Sequence, residues 1–212
     1  MRIFILTSLL GLLFHFSACN NRTDRALAAA QIEAMPQGVL LVRLQTSETK
    51  ISALEEIGRT DRANATREEQ EARNNRTVQA FQQYFDFCPT YFFYAPDSRR
   101  VRAGDWQALF DSVYKPVPPD VMKDKVFFVA DFGNIEQPSE NAGLSALILR
   151  DSSFRQLADP FPFYVQTSTM NRETLEARAV ELLNIRLKEY LFKVQLRRRK
   201  QEIRQARRAL RP

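Results

Sequence analysis

Cysteine and histidine side chains carry much of covalent and acid–base catalysis, and this sequence has very few of them. The chain of 212 residues contains two cysteines, Cys19 and Cys88, and a single histidine, His15. A Ser-His-Asp triad, a Cys-His dyad and a Cys/His zinc site all need at least one histidine or several thiols. These sites are therefore excluded from any mature protein that lacks His15.

The N-terminal residues indicate that His15 is removed. Residues 3–16 form an apolar run behind the single positive charge of Arg2, and the small residues Ser17 and Ala18 follow it. An apolar run of about 7 to 15 residues before a small-residue cleavage site is typical of a secretory signal peptide. A membrane-spanning helix needs about 20 apolar residues. We therefore expect residues 1–18 to be a cleaved signal peptide.

The sequence Phe16-Ser17-Ala18-Cys19 resembles the lipobox of bacterial lipoproteins. In that family the cysteine receives a diacylglyceryl group and the chain is cut just before it. The resemblance implies a lipid anchor at Cys19 and a periplasmic or outer-membrane lipoprotein of the cell envelope. Two other outcomes stay open. Ordinary cleavage after Ala18 would leave Cys19 free to pair with Cys88 in an oxidising compartment, and the leader would otherwise be an uncleaved anchor or a misassigned start.

Positive charge is concentrated at the C-terminal end of the chain. Residues 186–212 carry eleven Lys or Arg against Glu189 and Glu202, a net charge of +9, while the whole chain carries +6. Each Lys or Arg near an anionic leaflet contributes about 1 kcal/mol of binding. We expect this segment to bind anionic lipid, polysaccharide or an acidic envelope protein through Arg197, Arg198, Arg199, Lys200, Arg204, Arg207, Arg208 and Arg211.

Other uses of the basic segment stay open. In place of binding an anionic partner, the segment would be a solvated helix end without a ligand, or a contact for a partner helix or a second copy. Nucleic acid is a poor partner, because an exported protein rarely meets it and no aromatic residue interleaves the terminal arginines for base stacking.

Cys88 and the loop carboxylates are weaker candidates. The carboxylate of Asp86, close to Cys88, would raise the pKa of the thiol and make it a poor nucleophile. Because free cysteine is commonly a small core residue, we expect Cys88 to pack in the core. Two carboxylates at strand ends or in loops are able to act as acid and base in a glycosidase-like site when they lie close in space. The candidates are Asp97, Asp105, Asp131, Glu136 and Asp151. The glycines after residue 18 are also too far apart for a phosphate-binding loop. We therefore assign no catalytic residue, metal site or cofactor.

The hydrophobic pattern predicts the elements that position these residues. Buried strands are expected at residues 38–45, 88–95, 126–131 and 144–149. An edge strand is expected at 161–166, because Pro162 lacks the donor for a ladder hydrogen bond.

Helices are predicted between and after these strands. A helical stretch over residues 47–83 is interrupted at Gly58 and restarts at Thr66, where Thr66 and Glu69 have capping-box spacing. Asp105 is expected to cap a short helix over 106–110. Asn171 is expected to cap a long final helix over 172–210.

This order of elements predicts an α/β or α+β fold with a single mixed sheet of four or five strands packed by helices and a long basic C-terminal helix. The order resembles the thioredoxin-like arrangement. In that family the reactive cysteine precedes a helix, whereas Cys88 precedes a strand, so no redox chemistry follows. The expected division is a signal peptide (1–18), a tether (19–36), one domain (37–195) and a projecting basic helix end (196–212).

The sequence thus predicts a membrane-anchored bacterial lipoprotein with a non-catalytic binding or structural role in the cell envelope. The alternative is a carboxylate-based hydrolase or a small-ligand-binding exported protein that works near the ends of strands 88–95 and 126–131. Residues 87–94 and 132–136 resemble segments of small exported bacterial proteins, which implies no activity.

Overall fold

The computed structural model describes residues 23–136 and 140–209, so Cys19 and Arg211 lie outside the described residues. Five strands form one mixed sheet that is packed by helices, which confirms the predicted α/β class. The strands are β1 (Val39–Leu44), β2 (Thr90–Tyr94), β3 (Phe127–Asn134), β4 (Ser145–Arg150) and β5 (Tyr164–Gln166). The helices are α1 (23–34), α2 (Glu48–Glu56), α3 (Thr60–Tyr84), α4 (Ser98–Arg102) and α5 (Leu175–Ala209).

The sheet has the strand order β2-β1-β3-β4-β5. Strand β1 pairs in parallel with both β2 and β3, and β4 and β5 continue the sheet as antiparallel strands. Strand β1 reads VLLVRL and is almost entirely buried, as expected for a parallel strand that is covered on both faces. The edge strand β5 begins only at Tyr164, after Pro162, in agreement with the predicted edge position.

Alternate strand residues feed two hydrophobic clusters on opposite faces of the sheet. On one face Leu40, Val42 and Phe92 pack with residues of α1, α3 and α5. On the other face Val39, Leu41, Phe93 and Val129 pack with Val101 of α4 and with residues of the loops around it, including Leu109, Met122 and Phe154.

The segment predicted as a tether is structured over most of its length. Residues 23–34 form α1 and Met35–Gln37 form a 3₁₀ turn that leads into β1. Ala28, Ile32 and Met35 are at most 2% exposed and belong to the main core. The tether prediction is therefore wrong for residues 23–36, because these few apolar side chains are enough to dock a short helix once a sheet face is available.

The break in the long polar stretch occurs at Gly58, as predicted, but the following helix starts earlier than expected. Gly58 has a φ of +70°, a conformation that favours glycine. Helix α3 begins at Thr60. The Thr66 hydroxyl donates to the carbonyl oxygen of Arg62 at 2.8 Å, within the helix. The predicted restart at Thr66 is therefore wrong, because its hydroxyl bonds back to the preceding turn and does not cap a terminus.

The two predicted caps are used in modified form. The Asp105 side chain accepts a hydrogen bond from the Gln107 backbone at 3.2 Å and caps a 3₁₀ turn, Trp106–Ala108, which is shorter than the predicted helix. Asn171 accepts from the Glu173 backbone at 3.0 Å in a turn that precedes α5, and the helix itself begins at Leu175.

Gly38 tests the close packing at the start of β1. A β-carbon added at Gly38 would collide with the backbone carbonyl oxygen of Val126, which accepts the Val39 N–H at 3.0 Å. We expect Gly38→Ala to lower the free energy of unfolding by about 1 to 3 kcal/mol, the usual cost of overpacking. Gly133→Ala is the control, because its β-carbon would find its nearest neighbours at 3.7 and 3.8 Å. Equal thermal stability of the two variants would contradict this interpretation of the β1–β3 contact.

Candidate functional site

The first part of α5 is bound tightly to the domain. Its buried apolar residues recur at helical spacing and face the main core. They are Ala179, Val180, Leu183, Leu187 and Val194.

Polar contacts fix the same part of the helix in place. The buried carboxylate of Glu176 faces Arg73 at 3.6 Å and Arg76 at 3.3 Å, both from α3. Further along, the Asn184 side chain donates to Asp86 Oδ1 at 2.7 Å, and Lys188 forms an ion pair with the same carboxylate. The hydrogen bonds from Lys188 and Asn184 lower the pKa of Asp86 below its usual value.

The helix makes no further buried apolar contact after Val194. Every residue of 195–209 is exposed, so the described part of the predicted projecting end does project from the domain. This segment contains seven of the predicted basic residues and a single acidic residue, Glu202. The seven cations are Arg197, Arg198, Arg199, Lys200, Arg204, Arg207 and Arg208.

One face of α5 also carries an exposed apolar stripe, which starts in the docked part of the helix and continues into the exposed end. Ile185, Phe192, Leu196 and Ile203 are 43%, 65%, 41% and 49% exposed. Their spacings of seven, four and seven residues place all four within an arc of about 40° on a helix of 3.6 residues per turn. An unpartnered stripe of large apolar side chains on a charged helix is typical of an interaction surface. We call Ile185, Phe192, Leu196 and Ile203 the apolar stripe.

Cations border the apolar stripe on both sides. By the same helical geometry, Arg199 lies along one border, and Lys200 and Arg207 lie along the other. The remaining cations lie on the opposite side of the helix. The end of α5 is therefore both amphipathic and strongly basic.

The end of α5 lies beside α1, the first helix after the predicted anchor. Arg198 faces Glu33 of α1 at 3.5 Å. A groove of about 750 Å³ between the two helices is lined by Arg25 of α1 and by Arg197 and Arg198 of α5. We call the seven cations at the end of α5 the basic surface. Arg25 is only six positions after Cys19 in the sequence, and its place in the groove puts the start of the described chain next to this basic surface.

The carboxylates of the alternative hypothesis are held by arginines. Asp131 is 2% exposed and accepts from Arg43 and, at 2.9 Å, from Arg150 Nε. The same Arg150 guanidinium donates to Glu136 at 2.8 Å. Burial alone would lower the pKa of Arg150, but Glu136 and Asp131 outweigh it and raise that pKa. Asp131 and Glu136 are thus joined through one guanidinium and do not face each other across a cleft.

The other three carboxylates have local structural partners. Asp97 and Asp105 both pair with Arg100, at 2.8 and 2.9 Å. Asp151 accepts from the backbone of Ser153 and Arg155 and shapes the turn after β4. The structure brings none of these three next to Asp131.

Cys88 lies between α3 and β2 and is 8% exposed within the main core. Burial raises the pKa of its thiol to about 12, from an ordinary value of 9.0. A thiol with so high a pKa is protonated at neutral pH and is a poor nucleophile. These contacts agree with the predicted packing role.

The distribution of charge predicted the basic end of α5, and our prediction missed its apolar stripe. The signal was present in the sequence. At 100° per residue, Phe192 and Leu196 lie on the helix face opposite Leu187 and Val194, in line with Ile185 and Ile203.

Neither a metal site nor a membrane-spanning segment is found in the part of the chain that the structure describes. Within residues 23–136 and 140–209, no group of three or more His, Cys, Asp or Glu side chains is arranged to hold a metal ion. None of the helices in these ranges combines the length and the apolar character needed to cross a bilayer. Comparison with known proteins gave no matching family model, no matching curated protein and no matching solved structure.

Proposed function

We propose that this chain is a lipid-anchored protein of the bacterial cell envelope with a non-catalytic binding role, and that the end of α5 lies on an anionic membrane surface. The lipid anchor is Cys19. The observation that supports the proposal best is the apolar stripe, which is bordered by cations and lies on the exposed face of α5 that points away from the core.

Both properties of the helix end suit a bilayer interface. Interfacial helices place apolar side chains at the boundary of headgroups and acyl chains, while their Lys and Arg residues contact anionic headgroups. Each cation near the surface contributes about 1 kcal/mol, and full burial of a Phe, Leu or Ile side chain contributes about 1.5 to 3 kcal/mol. Seven cations and three or four apolar side chains therefore contribute comparable amounts, so charge and apolar contact are both needed.

The position of α1 gives the helix end a specific part in this anchoring. Because Arg25 lines the same groove as Arg197, a lipid on Cys19 would enter the bilayer close to the basic surface. The lipid would then hold the protein on the membrane, and α5 would fix the orientation of the domain. A non-catalytic role is also consistent with the arginine partners of the carboxylates and with the buried Cys88.

Vesicle binding tests the contact of α5 with lipid. For the chain from residue 20 onward, which contains every described residue, we expect binding to vesicles that contain phosphatidylglycerol and weak binding to phosphatidylcholine alone. Changing Arg197, Arg198, Arg199 and Lys200 together to Gln should weaken binding by about tenfold or more, because Arg199 and Lys200 border the apolar stripe and each cation near the surface contributes about 1 kcal/mol. Changing Lys50, Arg59, Arg62 and Lys123 to Gln removes the same charge elsewhere and should have little effect.

The apolar stripe has its own matched pair in this assay. Phe192→Ser with Ile203→Ser should weaken the binding that remains at high salt, where charge is screened. Ile57→Ser with Val126→Ser is the control, since these residues are 70% and 54% exposed elsewhere on the surface. Vesicle binding that is insensitive to both the charge and the stripe changes would contradict the proposed contact.

The mass of the mature N-terminus tests the anchor. Protein extracted from bacterial membranes should yield an N-terminal peptide that begins at Cys19 and carries the mass of a diacylglyceryl group. A peptide that begins at unmodified Asn20, or a disulfide between Cys19 and Cys88, would contradict the lipid anchor.

A further inference from the structure

A polar cavity lies at the end of the sheet where the parallel strands finish. Thr46, two residues after β1, and Tyr94, the last residue of β2, line one side of it. In open α/β sheets, ligands bind outside the carboxyl ends of the strands. The end of α5 lies at the other end of the sheet, because Arg198 contacts Glu33, six residues before β1 begins. The cavity is therefore separate from the proposed membrane surface.

Helix α3 supplies most of the cavity wall. Arg67, Gln70, Glu71, Asn74 and Asn75 line it, and their spacing of three, one, three and one residues places them on one face of the helix. Asn74 is buried and Gln70 is half-buried, whereas Arg67, Glu71 and Asn75 are exposed. The wall therefore consists of amides and charged groups, and the large apolar side chains that α3 buries lie further along, at Val78 and Phe81.

The amide groups of the wall are held in fixed orientations. Asn74 is 8% exposed and donates to the Gln45 carbonyl oxygen at 2.8 Å. Its own Oδ1 accepts from Gln70 at 3.0 Å, and the Ser47 hydroxyl donates to Gln70 Oε1 at 2.7 Å. This chain of hydrogen bonds leaves little rotamer freedom to lose when a ligand binds, which favours affinity.

Two tyrosines complete the cavity. Tyr94 and Tyr114 both contact the ring of Phe110, and their ring centroids lie 5.1 and 5.4 Å from its centroid. The Tyr114 hydroxyl donates to Asn75. Tyr114 has a φ of +61°, which is rare for a bulky residue, so the loop holds this side chain over the cavity at some cost in backbone strain.

We propose that this cavity binds an uncharged saccharide unit. Its volume of about 370 Å³ lies toward the small end of ligand pockets, about 300 to 1,000 Å³. Sugar hydroxyls both donate and accept hydrogen bonds, and the side-chain amides and phenols of this wall do the same. This site does not depend on the proposed contact of α5 with lipid.

The charges of the cavity favour a neutral ligand. Arg67 and Glu71 carry opposite charges, and the Arg67 guanidinium already donates to Glu55 and Asn64, both at 2.8 Å. A phosphate or carboxylate ligand would find no second cation among the lining residues. Burial raises the pKa of Tyr94 and of Tyr114. Electrostatic interaction with Glu71 raises the pKa of Tyr94 further, and interaction with Tyr94 does the same for Tyr114. Both phenols are therefore neutral at physiological pH.

Titration of the full chain with sugars tests the proposal. The protein in a sugar-free detergent is titrated with a panel of neutral mono- and disaccharides, including glucose, galactose, mannose, N-acetylglucosamine and its disaccharide, with binding followed by calorimetry and saturation-transfer NMR. At least one sugar should bind at millimolar concentration or below. Comparison of the monosaccharides with the disaccharide distinguishes a free sugar from a unit of a glycan chain.

Two variants locate the binding. Tyr114→Phe and Gln70→Ala should each weaken binding of the active sugar by about three- to tenfold, the effect of a lost hydrogen bond. Tyr84→Phe removes a phenol from the same helix outside the cavity and should leave the affinity unchanged. Circular dichroism and thermal melting confirm that the variants fold. Absence of binding across the panel, equal affinity in all three variants, or preference for sugar phosphates or uronates would each overturn the proposal.

Discussion

Helix α5 is longer than the sheet on which it packs, and this mismatch determines the outer surface of the protein. Its 35 residues extend over about 52 Å at 1.5 Å per residue. The six residues of β1 cover only about 20 Å. Burial stops at Val194, so the last fifteen residues described for the helix contribute no buried side chain to the domain.

The composition of α5 changes where its support ends. Up to Val194 the core-facing positions are apolar. In the same part of the helix Glu176 pairs with Arg73 of α3, and Asn184 and Lys188 both bind Asp86, two residues after α3 ends. Beyond that point the helix carries seven cations together with Leu196 and Ile203, the second half of the apolar stripe. A helix end that is only solvated gains nothing from large exposed apolar side chains, and a surface that acts through charge alone does not need the apolar stripe. Charge and apolar surface together fit a bilayer interface.

The two ends of the sheet differ in chemistry. The end at which β1 begins carries α1 and the basic surface. The end at which β1 and β2 finish carries a nearly neutral cavity that is lined by amides and phenols. If the first end faces the membrane, the second faces away from it, and a ligand from the surrounding envelope reaches the cavity without crossing the lipid surface. Strand β1, buried on both faces and flanked by β2 and β3, separates the two.

The sheet was largely predictable from sequence, and the surfaces were not. Strands such as residues 38–45 and 144–149 were recognised within one or two residues because buried strands read as apolar runs. Helix α1 was missed because it is short and only Ala28 and Ile32 within it are fully buried. The exposure of Phe192 and Leu196 follows from their position on the helix face opposite Leu187 and Val194, a spacing that our prediction did not use. The cavity combines residues from Thr46 to Tyr114 that meet only after folding.

The depth of α5 in a lipid bilayer tests the central claim most directly. Single spin labels at Ile203 and at Gln205, on different sides of the helix, would be compared by electron paramagnetic resonance on phosphatidylglycerol vesicles. The account predicts that the label at residue 203 becomes accessible to oxygen, which is enriched in the acyl region, while the label at residue 205 stays accessible to a water-soluble relaxation agent. Equal exposure of both labels to the aqueous agent would contradict membrane contact through the apolar stripe.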